Sequence, residues 1–191
     1  MKKGLTEYVF VVDCSESMTE CKAKTMETFN TMVENYKNEC DDGIITTIMF
    51  NERSKIFHDR IDINDAKPLS EENYTPSGKT ALIDALGLTI KHIATIQKYA
   101  RDEDKPEHTV FVVMTDGKED ASKRYSADEV EKFVTIRKEI FGWEFIFTNA
   151  GFDTIITACK VGQTADADTD TEGGYDIDID DLLKIFENKK S

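Results

Sequence analysis

Apolar residues fall in short runs that end abruptly in polar ones. The run at 8–12, YVFVV, is continuously apolar and rich in valine and aromatic residues, the pattern of a strand buried on both faces in a parallel sheet. Met26, Phe29, Val33 and Tyr36 then recur at helical spacing, which predicts a helix with one apolar stripe ending near Asn38. Another strand begins at Gly43. The runs 44–50 and 55–57 flank the polar group Asn51, Glu52, Arg53 and Ser54, which predicts a hairpin and so one antiparallel edge strand. After an irregular stretch over about 62–77, Leu82, Leu86, Ile90, Ile93 and Ile96 mark a long helix that stops before the charged run 101–107. The strand 108–114 leads straight into the polar turn Thr115-Asp116-Gly117. Ser126 and Glu129 form a capping-box pattern ahead of Val130, Phe133, Val134 and Ile140. Residues 143–147 read as a further strand, and 152–159 and 182–186 as short helices separated by a Gly- and Asp-rich loop. No internal repeat is visible.

Buried strands alternating with amphipathic helices predict an α/β domain with a mostly parallel sheet, one antiparallel edge strand and helices on both faces. The chain reads as a single domain over 1–191, with a core over about 8–161 and an acidic loop plus a C-terminal helix in 162–191. Ligands of such folds bind beyond the carboxyl ends of the strands. That rule points at the loops after Val12 and after Met114.

Composition narrows the classes of partner. The 191 residues are 39% hydrophobic, enough for a packed core, and 38 acidic against 24 basic residues give a formal net charge of −14. Such a field opposes nucleic-acid binding and favours cations or basic surfaces. The two N-terminal lysines precede an apolar run too short for a signal sequence, and no stretch approaches the 18 or so apolar residues of a spanning helix. The expectation is a soluble cytoplasmic protein with no membrane anchor. Four cysteines, Cys14, Cys21, Cys40 and Cys159, form no CxxC pair, which suits free thiols in a reducing compartment.

The predicted strand ends carry the candidate chemistry. Asp13, Ser15 and Ser17 recur at alternate positions as the chain leaves the first strand, Asp116 follows the strand 108–114, and Thr80 stands at the start of the long helix in Ser77-Gly78-Lys79-Thr80. Five hydroxyl and carboxylate oxygen donors without His or Cys suit a hard cation such as Mg²⁺ or Mn²⁺ and do not indicate zinc.

Asp-x-Ser-x-Ser at 13, 15 and 17, Thr80 after Gly78, and Asp116 in Thr-Asp-Gly together resemble the von Willebrand factor A domain over about 8–161. The resemblance implies a three-layer α/β/α Rossmann-like fold and a metal-ion-dependent adhesion site. In that site Ser15, Ser17 and Thr80 would bind the ion directly, and Asp13 and Asp116 directly or through water. It also implies a non-enzymatic, protein-binding function, in which an Asp or Glu of a partner protein completes the coordination of Mg²⁺, with Mn²⁺ or Ca²⁺ as other occupants. The stretches 115–122 and 142–147 look like those of stand-alone bacterial intracellular members of the family. Cys14 and Glu16 depart from the small residues often found inside the motif, and Glu16 would put a third carboxylate near the cation. Two carboxylates balance a divalent ion, so metal should gate the approach of an anionic partner.

Other readings of the same residues stay open at this point. Gly78-Lys79-Thr80 and the strand ending at Asp116 resemble Walker A and Walker B sequences, which would make the protein a Mg²⁺-dependent nucleotide-binding enzyme; but Asn73 stands where Walker A needs glycine, and no strand precedes the loop. Asp13 could serve as a phosphoryl-accepting nucleophile, although Ser15 stands where an acid–base carboxylate is needed. The acidic loop 166–174 fits the EF-hand pattern in neither register and reads as solvated. His58, His92 and His108 lack metal spacing and read as surface or half-buried residues, and Cys14 reads as a buried spacer. Ser17 and Thr80 could instead cap helices. A scaffold that never uses its metal completes the alternatives.

Overall fold

The computed structural model describes residues 1–40, 42–148, 151, 153, 155–157 and 160. Five strands form one sheet: β1 (Lys2–Asp13), β2 (Asp42–Phe50), β3 (Ser54–Asp62), β4 (Pro106–Met114) and β5 (Glu144–Phe147), in the order β3-β2-β1-β4-β5. β1 runs parallel to both β2 and β4, β5 is parallel to β4, and β3 returns antiparallel to β2 as the edge strand. The helices are α1 (Lys22–Glu39), α2 (Leu82–Tyr99) and α3 (Ala127–Phe141). The expected mixed α/β sheet with one antiparallel edge is what forms.

The central position of β1 explains its unbroken apolar run. Val9, Phe10, Val11 and Val12 are all fully buried, because one face of the strand meets α2 and α3 and the other meets α1. Val9 and Val11 join Phe111, Val113, Leu86 and Val134 on the first side; Phe10 and Val12 join Phe29, Val33 and Met49 on the second. Phe10 and Phe29 meet edge to face with ring centroids 4.8 Å apart, a favoured aromatic geometry.

Two strands are longer than their apolar runs. β1 starts at Lys2 and β3 continues to Asp62, although neither extension alternates cleanly. Backbone pairing with neighbours supplies what the pattern lacks: Leu5 pairs with Asp42, and Ile44 with Asp62. The irregular stretch before α2 is anchored by buried Leu69 and Tyr74. Asn30 of α1 exchanges two hydrogen bonds with the Leu69 backbone, at 3.0 and 2.8 Å.

The capping box of α3 forms as expected. The Ser126 hydroxyl accepts from Glu129 N–H at 3.3 Å, and the Glu129 carboxylate accepts from Ser126 N–H at 2.8 Å. Gly142 closes the helix at φ 68°, a conformation glycine adopts without strain. Asp153, Ile155, Ile156, Thr157 and Lys160 are helical; Phe152, Cys159, the acidic loop and the expected helix at 182–186 lie outside the described residues. No helix among the described residues is long and apolar enough to cross a membrane.

Candidate metal centre

Asp13 is the last residue of β1, so the sheet itself aims the chain at the site. Its carboxylate closes two links. Oδ1 accepts Ser15 N–H at 2.8 Å, bending the chain out of the strand, and Oδ2 accepts the Thr115 hydroxyl at 2.7 Å from the loop after β4. Its backbone carbonyl accepts the hydroxyl of fully buried Tyr74 at 2.6 Å. Burial pushes the Asp13 carboxyl above its ordinary range; the hydrogen bonds from Ser15 and Thr115 oppose that shift, and the charge of Asp116 adds to it.

Beyond Asp13 the chain enters a 3-10 turn, Glu16–Thr19. The tight winding brings the Ser15 and Ser17 hydroxyl oxygens within 3.1 Å of each other. Glu16, between them, is exposed, and its N–H donates to the Gly78 carbonyl at 2.9 Å. Ser77 N–H donates to the Cys14 carbonyl at 2.9 Å. These two bonds lay the loop that carries Thr80 along the loop that carries the serines. Gly78 turns there at φ 74°, a backbone state that favours glycine.

Thr80 is buried and tied to the third loop. Its N–H donates to Asp120 Oδ1 at 2.7 Å, and its carbonyl accepts the N–H groups of Asp120 and Ala121 at 3.0 and 3.1 Å. Asp116 is half-buried and sits between Thr115, which holds Asp13, and Gly117. Its Oδ1 accepts Lys118 N–H at 3.1 Å, while the Lys118 ammonium lies 3.5 Å from Oδ2. All five expected residues therefore stand on three loops stitched together at the carboxyl end of β1 and β4.

Sequence reasoning missed the residues that do the stitching: Thr115, Tyr74, Glu119 and Asp120. Glu119 Oε2 accepts Ile83 N–H at 2.9 Å, and the Ser122 hydroxyl accepts Asp84 N–H at 3.0 Å. In return the Asp84 carboxylate accepts the N–H groups of Lys123, Arg124 and Tyr125 at 2.8 to 2.9 Å. A signal for this exchange was present. α2 starts after Ala81, which has no capping side chain, so its free N–H groups need a cap donated from elsewhere.

The local bonding bears on two alternatives. Ser17 and Thr80 cap no helix: the N-cap residues of α1 and α2 are Cys21 and Ala81, neither with a side-chain cap bond. The phosphate-cradle reading gains no support from these loops either. The Lys79, Thr80 and Ile83 N–H groups already donate to the carboxylates of Glu52, Asp120 and Glu119, where a P-loop would present them to phosphate. β3 also ends at Asp62, far from α2, so no strand leads into that loop.

The isolated candidates resolve by burial. The Cys14 thiol donates to the Thr75 carbonyl at 3.3 Å, and burial raises its pKa, which makes it an inert filler. His92 and His108 are exposed as expected. His58 is not: it is buried, bonded through Nδ1 to the Thr47 hydroxyl at 2.9 Å, and accepts Lys67 N–H at Nε2 at 3.1 Å. Burial lowers its pKa to about 4, so it is a neutral core residue.

Among the described residues no three His, Cys, Asp or Glu side chains group as a metal cage. A cation at this end of the sheet would rely on hydroxyls as well as carboxylates. Asp13, Asp116, Ser15, Ser17 and Thr80 supply that mixture, all hard oxygen donors.

The family described as von Willebrand factor type A domain matches residues 8–139. No curated protein matches the chain in sequence. Among solved structures, a von Willebrand factor type A protein from Catenulispora acidiphila superposes with a TM-score of 0.52 at 13% identity, covering 97% of this chain and 42% of that one. BatB from Bacteroides thetaiotaomicron gives 0.47 at 14% identity, covering 97% of this chain and 100% of that one. The vWF domain of the pilus tip protein Mfa5 from Porphyromonas gingivalis gives 0.43 at 14% identity, over 60% and 38%. The chain thus spans less than half the length of two of these three. The Catenulispora likeness agrees with the Rossmann-like sheet seen here, and the family match takes in all five candidate positions. The chain belongs to the von Willebrand factor type A domain family, whose members typically serve in protein interaction and adhesion.

Proposed function

We propose that this domain is a metal-dependent protein-binding module and not an enzyme. Asp13, Ser15, Ser17, Thr80 and Asp116 would hold one divalent cation, Mg²⁺ by preference with Mn²⁺ or Ca²⁺ as other occupants. An Asp or Glu carboxylate of a partner protein would take the remaining position. The observation that carries this reading is the state of Asp13: a fully buried carboxylate whose hydrogen-bond donors, the Ser15 N–H and the Thr115 hydroxyl, are neutral. An uncompensated buried anion is costly, and a divalent ion beside it would remove that cost. A bound cation would supply charge neutralisation and an acceptor for the partner's carboxylate. The free thiols of Cys14, Cys21 and Cys40 suit a reducing cytoplasm, the location this reading assumes, with the chain acting as a stand-alone bacterial module.

The test is a thermal titration after chelation. Mg²⁺ or Mn²⁺ at about 100 times Kd should add roughly 2.7 kcal/mol, or about 5 to 10 °C for a domain of this size. Asp116→Ala should lose that shift and keep the fold, and ATP should not change it. Equal shifts in both proteins, or none, would sink the metal reading, and a large ATP effect would revive nucleotide binding.

A further inference from the structure

We propose that Lys118 is a tethered counter-ion of this centre, which a divalent cation must displace from Asp116 in order to bind. The inference rests on the metal reading above and specifies how that site is regulated.

One residue occupies both oxygens of Asp116. The Lys118 backbone N–H takes Oδ1 at 3.1 Å and the ammonium takes Oδ2 at 3.5 Å. Gly117 makes this possible: at φ 84° it reverses the chain, and its own N–H donates to the Thr115 hydroxyl at 3.1 Å. That hydroxyl is the one that holds Asp13. The turn therefore fixes residue 118 over Asp116 by the same bonds that assemble the centre.

Charge gives the arrangement a purpose. Asp116 acts on Asp13 as a repelling neighbour, so without an ion the centre gathers two carboxylates, and the ammonium of Lys118 offsets one of them. The hold is weak. The lysine side chain is 68% exposed against 23% for Asp116, and ion pairs reaching that far into water contribute little and are screened by salt. A flexible ammonium can swing into solvent at small cost, while a divalent ion gains both carboxylates and the hydroxyls.

The released ammonium stays tethered by its own backbone. The ion balances the two carboxylates, and the freed ammonium adds one positive charge beside it, which favours an arriving carboxylate. The device thus lowers metal affinity and makes both the empty and the loaded centre one charge less repelling to an acidic partner.

The test uses the full chain with Mg²⁺ alone as the probe. Lys118→Ala should bind Mg²⁺ about three- to tenfold more tightly than wild type, as expected for removing one exposed charge beside a divalent ion. Lys118→Arg, which keeps the charge, should stay within about twofold of wild type. A second arm needs no metal: in chelator at low salt, Lys118→Ala and Asp116→Asn should have non-additive effects on the unfolding equilibrium, and high salt should restore additivity. Unchanged or weaker Mg²⁺ binding in Lys118→Ala overturns the displacement. Additivity at low salt overturns the tether even if metal binds. Coupling in a protein that shows no metal response overturns the metal reading, and the displacement with it.

Discussion

β1 buries two carboxylates, Glu7 at its middle and Asp13 at its carboxyl end, and both are fully shielded from water. Their surroundings differ in sign. Glu7 receives the guanidinium of Arg60 on one oxygen and the amide of Gln97 on the other, at 2.8 Å, and that amide also bonds the Thr109 hydroxyl at 3.0 Å. Its charge is matched within the chain. Among the described residues Asp13 receives only neutral donors and faces another carboxylate, Asp116. The comparison separates a structural acid from a functional one by electrostatic closure, where burial alone would call them alike.

The largest expected effect breaks the closed pair at Glu7. Arg60→Ala leaves Glu7 buried beside Gln97 with no cation, and losing one partner of such a pair costs about 3 to 5 kcal/mol. Urea unfolding of metal-free protein should show this as a lower midpoint with an unchanged slope. A loss under about 1 kcal/mol, the value of an exposed pair, would mean that Arg60 does not close that charge. The backbone supports the stronger reading. Arg60 sits at φ 48° on the irregular part of β3, a conformation rare for a non-glycine residue, and reaches across β2 to Glu7.

A smaller loss is expected beside Asp13. Tyr74→Phe removes the hydroxyl that satisfies the Asp13 carbonyl inside the core, and a buried acceptor left short of a partner costs about 1 to 3 kcal/mol. The phenyl ring should keep the packing. Thermal unfolding in chelator would register the change, and a neutral result would show that the carbonyl finds another donor.

The same contrast explains how much the sequence discloses. Val9, Phe10, Val11 and Val12 are legible as a strand because both faces of the sheet are covered, so every position is apolar. Residues 2–7 are not, since Glu7 is tolerated inside through Arg60 and Gln97, 53 and 90 positions away. Asp13, Ser15 and Ser17 stand out by their alternate spacing, and Thr80 and Asp116 by their likeness to a known motif. Thr115 and Asp120 act through partners about 100 and 40 residues distant, at Asp13 and Thr80, and no local periodicity records such a bond. Tyr74 looks like one more residue of a polar loop until the fold delivers it to Asp13.

The smallest effect is the most diagnostic, because its sign should reverse between the two acids. Glu7→Gln discards a charge that Arg60 needs, so it should destabilise. Asp13→Asn discards a charge that nothing in its hydrogen-bond set neutralises; with the new amide N–H donating to a turned Thr115 hydroxyl, it should in chelator at neutral pH be neutral or stabilise by up to about 1 kcal/mol. The pH dependence follows from burial raising the folded Asp13 pKa above its ordinary 3.8. For an acid so shifted, the penalty is absent below the unfolded pKa, where both states are protonated, and it grows as pH rises through the folded value. The advantage of Asp13→Asn over wild type should therefore be present at pH 7 and vanish as pH falls below about 4. Saturating Mg²⁺ should invert the order at pH 7, because the ion stabilises only the protein that keeps its carboxylate. Stability measured at these two pH values, with chelator and with Mg²⁺, checks both signs. If Asp13→Asn is destabilising in chelator, the buried aspartate is a structural acid like Glu7, and its open charge is no longer a reason to expect a cation.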